Sequence, residues 1–201
     1  MAMRHIGIIL AGGQSRRMGT DKALLALKGE TLLNRTIKTL KESGCEDVIL
    51  SGYSRPGFSE MLIHDEVLDA GPVSGIVSSL KYLNSHYPSG SKCLFIAVDM
   101  PNASSSLIET LFRSLNAYDC IHFDSHPLPF CLRLSNATIN LVNATNNILS
   151  ATKSPSIRTF LSSLKICQLQ PTSEQRNQLF NVNTLEAWQR FSPINPSTKK
   201  S

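Results

Sequence analysis

One segment near the start of the chain, LAGGQSRRMGTDK over residues 10–22, combines residue types that can hold a phosphate chain. Gly12 and Gly13 allow backbone N–H groups to approach an anion closely, while two arginines and a lysine behind them supply positive charge. The segment matches neither the GxxxxGK[ST] nor the GxGxxG template. On residue type alone, a phosphate cradle of another kind and a turn with solvated charges fit equally well.

A second chemical candidate is Asp99, which directly follows the apolar run CLFIAV at residues 93–98. Mg²⁺ is commonly bound by one or two carboxylates together with phosphate oxygens and water. A lone carboxylate at the end of a buried strand suits such an ion. The alternative is a turn or helix-capping aspartate ahead of Pro101, and the residues by themselves favour this alternative.

Strands alternate with helices along the chain, which predicts βαβ units. Strands are predicted over residues 5–10, 47–51, 93–98, 119–123 and 129–134, and helices over residues 31–40, 71–83, 105–115, 136–146 and 156–164. Gly44 stands where a glycine ends the first helix. We therefore predict a single-domain, Rossmann-like, three-layer α/β/α fold with a mostly parallel mixed sheet. In such sheets ligands bind beyond the carboxyl ends of the strands, which is where Gly12 and Asp99 follow.

Length and composition exclude several classes of protein. With 201 residues, 41% of them hydrophobic, the chain forms one ordinary domain, which we place at residues 1–191 with a flexible tail at 192–201. The net charge of +5 is dispersed, so nucleic-acid binding is not expected. The apolar stretch at the start is too short for a signal sequence or a membrane span. Five scattered cysteines predict small buried thiols in a reducing, cytoplasmic protein, not disulfides or zinc.

The glycine segment resembles LAGGxSxRMGxxK, the signature of the nucleotidyltransferase family that includes the molybdenum cofactor guanylyltransferases, often called MobA. The matching residues are Leu10, Ala11, Gly12, Gly13, Ser15, Arg17, Met18, Gly19 and Lys22. Further segments are similar in the family's order: DKALL at 21–25, Asp65 with GPVSG at 71–75, VDMP at 98–101, and NVNT at 181–184. The form LAGG is typical of the guanylyl enzymes, whereas cytidylyl relatives usually have LAAG. The resemblance implies a nucleotide-diphospho-sugar transferase-like fold.

The resemblance also implies roles for individual residues. Lys22, Arg17 and Asp99 would be catalytic, with Asp99 as the ligand of Mg²⁺. The residues implied to bind the nucleotide are Leu10, Ala11, Gly12, Gly13, Lys22, Ser51, Asp65 and Asp99. Ser51 stands where the family usually has asparagine, and Asp69 is an alternative to Asp65. The residues implied to bind the acceptor are His126, Arg158, Asn181 and Asn183.

The activity that the resemblance implies is transfer of GMP from GTP to molybdopterin or the molybdenum cofactor, with release of pyrophosphate. The product would be the guanine dinucleotide form of the cofactor. The implied partners are GTP, the molybdopterin acceptor, cofactor-biosynthesis proteins and molybdoenzyme-specific chaperones, with neither nucleic acid nor membrane, and the chain would act as a monomer. The alternatives are a cytidylyl- or sugar-phosphate nucleotidyltransferase and a catalytically silent nucleotide-binding protein.

Overall fold

The computed structural model describes residues 2–12, 21–55, 58–66, 71–149 and 155–191. Within these ranges the strands are β1 His5–Leu10, β2 Ala26–Leu27, β3 Glu30–Thr31, β4 Asp47–Ser51, β5 Met61–Ile63, β6 Lys92–Ala97, β7 Cys120–Phe123, β8 His126–Arg133 and β9 Ile166–Leu169. The helices are a 3₁₀ helix η1 at Lys22–Leu24, then α1 Leu32–Glu42, α2 Pro72–His86, α3 Ser105–Ser114, α4 Asn136–Leu149, α5 Ile157–Leu161, α6 Ser173–Gln178 and α7 Leu185–Phe191.

Seven strands form one sheet in the order β5-β4-β1-β6-β8-β7-β9. β1 pairs in parallel with both β4 and β6, while β8 runs antiparallel to its neighbours β6 and β7. The chain therefore leaves β1 for β4 on one side and later returns to pair β6 on the other. At the carboxyl end of β1 this arrangement produces the crevice in which open α/β sheets bind their ligands.

Helices cover both faces of the sheet, because the central strands are apolar on both sides. Along β1, Ile8 packs into the cluster formed with α2, α4 and α5, whereas Ile9 packs into the cluster formed with α1 and α3. Both side chains are fully buried, as the alternation of a strand between two helix layers requires. The predicted three-layer α/β/α fold with a mostly parallel mixed sheet is confirmed.

The first helix shows how local residues define an element. Thr31 caps α1 by accepting a hydrogen bond from the Asn34 amide, and α1 ends at Glu42. Gly44 follows with φ +88°, a conformation that suits glycine and closes the helix as predicted. The apolar face of α1 meets β1 so closely that a Cβ on Gly7 would lie 2.8 Å from the Leu40 side chain.

Several elements were not predicted. β9 is a short edge strand of mixed composition, ICQL, and its pairing with β7 decides its conformation. β2 and β3, each two residues long, form a hairpin. Both residues of its turn, Lys28 and Gly29, have a positive φ. α6 and α7 were also missed, and β8 begins at His126 rather than at residue 129. The predicted tail at 192–201 lies outside the described residues.

Four of the five cysteines are buried, as predicted. Burial raises the pKa of the Cys45 thiol to about 11 and raises the pKa of Cys93 further above its usual range. These thiols therefore stay protonated at neutral pH and pack as small apolar groups. Among the described residues, no helix is both long enough and apolar enough to cross a membrane.

Candidate active site

Two adjoining cavities open at the carboxyl ends of β1, β4 and β6. The first, here called the Lys22 cavity, measures about 240 Å³ and is lined by Ala11, Asp21, Lys22, Val98, Asp99 and Leu128 among others. The second, the Asp65 cavity, measures about 140 Å³ and is lined by Ser51, Tyr53, Asp65, Gly71 and Gly75 among others. Leu10, Gly12 and Pro72 line both cavities, so the two form one continuous cleft at the crevice beside β1.

Lys22 meets two oxygen atoms from distant parts of the chain. Its Nζ donates to Asp99 Oδ2 at 2.8 Å and to Asn183 Oδ1 at 2.9 Å. The backbone supports this meeting, because the Val182 amide donates to the Asp99 carbonyl at 2.9 Å. Lys22 itself lies on η1, which Asp21 caps by accepting from the Ala23 amide. The structure thus brings together three predicted residues: the catalytic candidates Lys22 and Asp99, and the acceptor candidate Asn183.

Asp99 has a free acceptor that suits a cation. Its Oδ1 is buried and has no hydrogen-bond partner among the described residues, although Oδ2 accepts from Lys22. A buried carboxylate oxygen without a partner is costly unless a cation or donor completes it. Within the described ranges no three His, Cys, Asp or Glu side chains converge as a metal cluster. The site therefore fits an ion such as Mg²⁺, which takes one or two carboxylates and completes its shell with phosphate oxygens and water.

Ser51 and Asp65 lie at the carboxyl ends of the neighbouring strands β4 and β5, where Ser51 Oγ donates to Asp65 Oδ1 at 3.3 Å. Small residues surround this carboxylate: a Cβ on Gly12 would lie 2.8 Å from Asp65 Oδ2, and one on Gly75 would lie 2.9 Å from Asp65 Oδ1. Burial raises the pKa of Asp65, against the opposing effects of the Ser51 hydroxyl and of His64. In the Asp65 cavity a carboxylate acceptor therefore lies next to the backbone of two glycines, Gly12 and Gly75.

The remaining acceptor candidates lie on β8, on α5 and in the segment that precedes Val182. His126 begins β8, and its Nδ1 shares a hydrogen bond with the Asp124 carbonyl at 2.9 Å, while Leu128, further along the same strand, lines the Lys22 cavity. Asn181 precedes the Val182 amide that contacts Asp99. Arg158 is exposed on α5 and shares no hydrogen bond or ion pair with the Lys22 cluster in the part of the chain described here.

Other predicted site residues cannot be placed. Gly13, Arg17 and the alternative aspartate Asp69 lie outside the described residues. Two residues for which no role was predicted do contribute to the site: Asp21, which caps η1, and Arg55, which is buried against Asp21 and Ala11. A signal for Arg55 existed in the sequence, since it is a charged residue soon after the strand that ends at Ser51. Its burial depends on contacts that spacing does not reveal.

Known proteins resemble this chain along most of its length. Residues 7–164 match the family model described as the MobA-like NTP transferase domain. The chain is 33% identical over 190 residues to the molybdenum cofactor guanylyltransferase of Xanthomonas euvesicatoria pv. vesicatoria, an alignment that covers 94% of this chain and 95% of that protein.

Solved structures share the fold at low sequence identity. Molybdopterin-guanine dinucleotide biosynthesis protein A from Archaeoglobus fulgidus superimposes with a TM-score of 0.70 at 20% identity, covering 94% of this chain and 97% of that one. A nucleotidyl transferase from Methanothermobacter superimposes with a TM-score of 0.71 at 14% identity, covering 94% and 96%. At these identities the likeness establishes the fold alone.

Proposed function

The chain belongs to the MobA-like NTP transferase family, and from this membership we propose that it transfers GMP from GTP to the phosphate of molybdopterin or of the molybdenum cofactor. An oxygen of the acceptor phosphate would form a bond to the α-phosphorus of GTP as the bond to the β-phosphate breaks and pyrophosphate leaves. The observation that carries the proposal is the meeting of Lys22, Asp99 and Asn183 at the carboxyl edge of the central strands.

The main contribution of the protein to such a transfer is charge and position. The Lys22 ammonium is a compact point charge that can follow the negative charge developing on the phosphates without any proton transfer. Gly12 lines the same cavity as Lys22. Gly13 and Arg17 follow Gly12 in the sequence of the glycine segment. Direct attack by the acceptor phosphate needs no protein nucleophile, so holding both reactants in line accounts for the catalysis.

Asp99 is the residue that would hold Mg²⁺, through the carboxylate oxygen that lacks a partner. A magnesium ion bound there supplies positive charge that neutralises the triphosphate. Lys22 shares the same carboxylate, so metal ligand and phosphate-binding lysine are adjacent.

The two cavities suggest how the substrates divide the cleft. We assign the nucleoside to the Asp65 cavity, where the carboxylate and the Ser51 hydroxyl offer hydrogen-bond acceptors and a donor. The acceptor would approach from the side of Asn181 and Asn183, with His126 near the start of β8 and Arg158 reaching its phosphate. The triphosphate would then lie between them, along Gly12 and Lys22.

The experiment that tests the proposal measures pyrophosphate release by the purified protein with Mg²⁺, molybdopterin and each of GTP, CTP, ATP and UTP. Release confined to GTP and dependent on the acceptor is expected. Release with another triphosphate would assign a different base. If folded protein supplied with authentic acceptor released no pyrophosphate with any of the four, the result would favour a catalytically silent nucleotide-binding protein.

A variant tests the metal assignment separately. Asp99→Ala should lower Mg²⁺-dependent turnover by roughly 100-fold or more, because it removes the carboxylate that would hold the ion which offsets the negative charge of the phosphates. Circular dichroism should show an intact fold. Asp47→Ala is the matched control, because Asp47 pairs with Arg4 at the amino ends of β1 and β4, away from the cleft. This variant should leave turnover unchanged. Near-normal turnover of Asp99→Ala would contradict the assignment.

A further inference from the structure

Arg55 is a buried guanidinium next to the Lys22 cavity, and its side chain is only 5% exposed. We propose that Arg55 is a positioning residue that orients Lys22 through Asp21. The inference deepens the proposed function and rests on it, because the role of Lys22 in phosphate transfer is part of that proposal. Its geometry stands independently of the reaction.

The guanidinium of Arg55 joins three separate segments of the chain. Nη2 donates to the Ala11 carbonyl at 2.6 Å, Nη1 to the Tyr53 carbonyl at 2.8 Å, and Nε to Asp21 Oδ2 at 2.7 Å. Nη2 also reaches Asp21 Oδ1 at 3.3 Å, so the carboxylate is bound in a two-pronged manner. One side chain thereby connects the end of β1, the wall of the Asp65 cavity and the start of η1.

Ala11 and Asp21 lie on opposite sides of residues 13–20 in the sequence, so Arg55 sets the separation of the two ends of the glycine-rich segment. Charge-assisted, two-point hydrogen bonds between a guanidinium and a carboxylate are strong and directional. A change at Arg55 would therefore move Asp21 relative to the end of β1.

Asp21, whose position Arg55 fixes, in turn fixes the backbone at Lys22. η1 has three residues, and a helix that short depends on its flanking contacts rather than on its own hydrogen bonds. Asp21 supplies them, because its Oδ1 accepts from the Ala23 amide at 3.0 Å and its carbonyl accepts from the Leu24 amide at 3.1 Å. Lys22 directly follows Asp21 and extends to Asp99, so the orientation of the capping carboxylate governs the base of the lysine side chain.

Lysine cannot replace arginine in this role. The guanidinium is a rigid planar fork with five N–H donors, whereas an ammonium is a point charge on a flexible stem. Arg55→Lys therefore keeps the buried charge but loses the simultaneous contacts to Ala11, Tyr53 and Asp21. Asp21→Asn tests the contact between Arg55 and Asp21 by changing Asp21, the partly exposed partner. The asparagine keeps an oxygen that can cap η1.

The kinetic test compares Arg55→Lys in the unaltered protein and in a Lys22→Met background, using GTP, Mg²⁺ and acceptor. In the unaltered protein Arg55→Lys and Asp21→Asn should each lower kcat about 10- to 100-fold with KM for GTP changed by less than about threefold, since a small displacement of a catalytic group has that effect. In the Lys22→Met background Arg55→Lys should lower the residual kcat by less than about threefold, because residues that act as a unit are not additive.

The structural test is amide hydrogen exchange at Ala23 and Leu24, which does not depend on activity. Arg55→Lys should increase exchange at these amides about tenfold or more by loosening η1. Arg133→Lys is the matched control, since Arg133 also donates to a backbone carbonyl, that of Asn116. Arg133 lies opposite Lys92 at the amino end of β6, away from the cleft. This variant should change neither exchange at η1 nor kcat.

Two results would overturn the inference: unchanged exchange at Ala23 and Leu24, or a loss of kcat that is equally large in both backgrounds. The second result would make Arg55 a purely structural residue. If the unaltered protein released no pyrophosphate with any triphosphate, the proposed function would fail, and exchange at η1 would still decide whether Arg55 holds this turn.

Discussion

Asp65 carries a carboxylate in surroundings that do not favour its charge. It lies between the Ser51 hydroxyl and the close backbone of Gly12 and Gly75, and burial raises its pKa. For an acid with a raised pKa, the folded state binds the proton more tightly than the unfolded state does. The free energy of unfolding therefore falls as the pH rises above the ordinary aspartate value of 3.8. A charged group that lowers stability in the free protein is typical of a ligand-binding site.

We expect Asp65→Asn to melt at a higher temperature than the unaltered protein at pH 7, because the amide is neutral and still accepts from Ser51. The difference should shrink as the pH falls towards 4, where the unaltered carboxyl takes up its proton. Melting curves of both proteins between pH 4 and 8 test this. Asp47→Asn, which removes an exposed pair with Arg4, should give no such gain. The prediction would be contradicted if Asp65→Asn melted at a lower temperature than the unaltered protein and the difference were the same at every pH.

At the scale of elements, the turn after β4 packs directly against the backbone after β1. Gly52 has φ +131°, and its amide donates to the Ile63 carbonyl of β5 at 2.9 Å. A Cβ on Gly52 would lie 2.7 Å from the Gly12 nitrogen, a backbone atom that cannot easily move. The absence of a side chain at Gly52 therefore allows the carboxyl ends of β1 and β4 to close around the cleft.

Gly52→Ala should lower the free energy of unfolding by about 2–5 kcal/mol, because it combines a strained backbone with an overpacked contact. Gly44→Ala is the matched control: Gly44 also has a positive φ, +88°, but nothing lies within 4 Å of its Cβ position. Its cost should be that of the backbone conformation alone, about 1–2 kcal/mol. Urea denaturation measures both values. Equal costs would show that the contact with Gly12 contributes nothing.

At the scale of the whole molecule, the Lys22 cluster is assembled from the beginning, the middle and the end of the chain. Asp99 is 77 residues from Lys22 in sequence, and Asn183 is 161 residues away. The segment around Val182 returns to the central strands and is held there by the Asp99 carbonyl. The Lys22 cluster therefore depends on contacts between parts of the chain that are far apart in sequence.

Asn183→Ala should lower kcat about tenfold with little change in melting temperature, because it removes a hydrogen bond to a charged group at the surface of the fold. Steady-state kinetics with GTP and acceptor measure this effect. Asn143→Ala, an exposed position on α4, is the control and should have no effect. An unchanged kcat in Asn183→Ala would mean that the amide does not help to hold Lys22 during the transfer.

Elements whose signals are local could be predicted from the residues alone. The apolar runs of β1 and β6, the Thr31 cap and Gly44 at the two ends of α1, and the alternation of strands and helices each depend on residues a few positions apart. The same locality made the glycine segment and its resemblance recognisable. It also allowed Lys22 and Asp99 to be proposed as site residues before their distance was known.

Which of these residues come into contact depends on the packing of the whole fold. The pairing of β9 with β7, the ion pair of Lys22 with Asp99 and the burial of Arg55 against Ala11 and Asp21 all join segments far apart in sequence. Such contacts arise from the packing of whole elements, and residue spacing along one strand or helix carries no information about them. For this reason Arg55, which has an ordinary local context, became a site residue only once the sheet had brought its partners together.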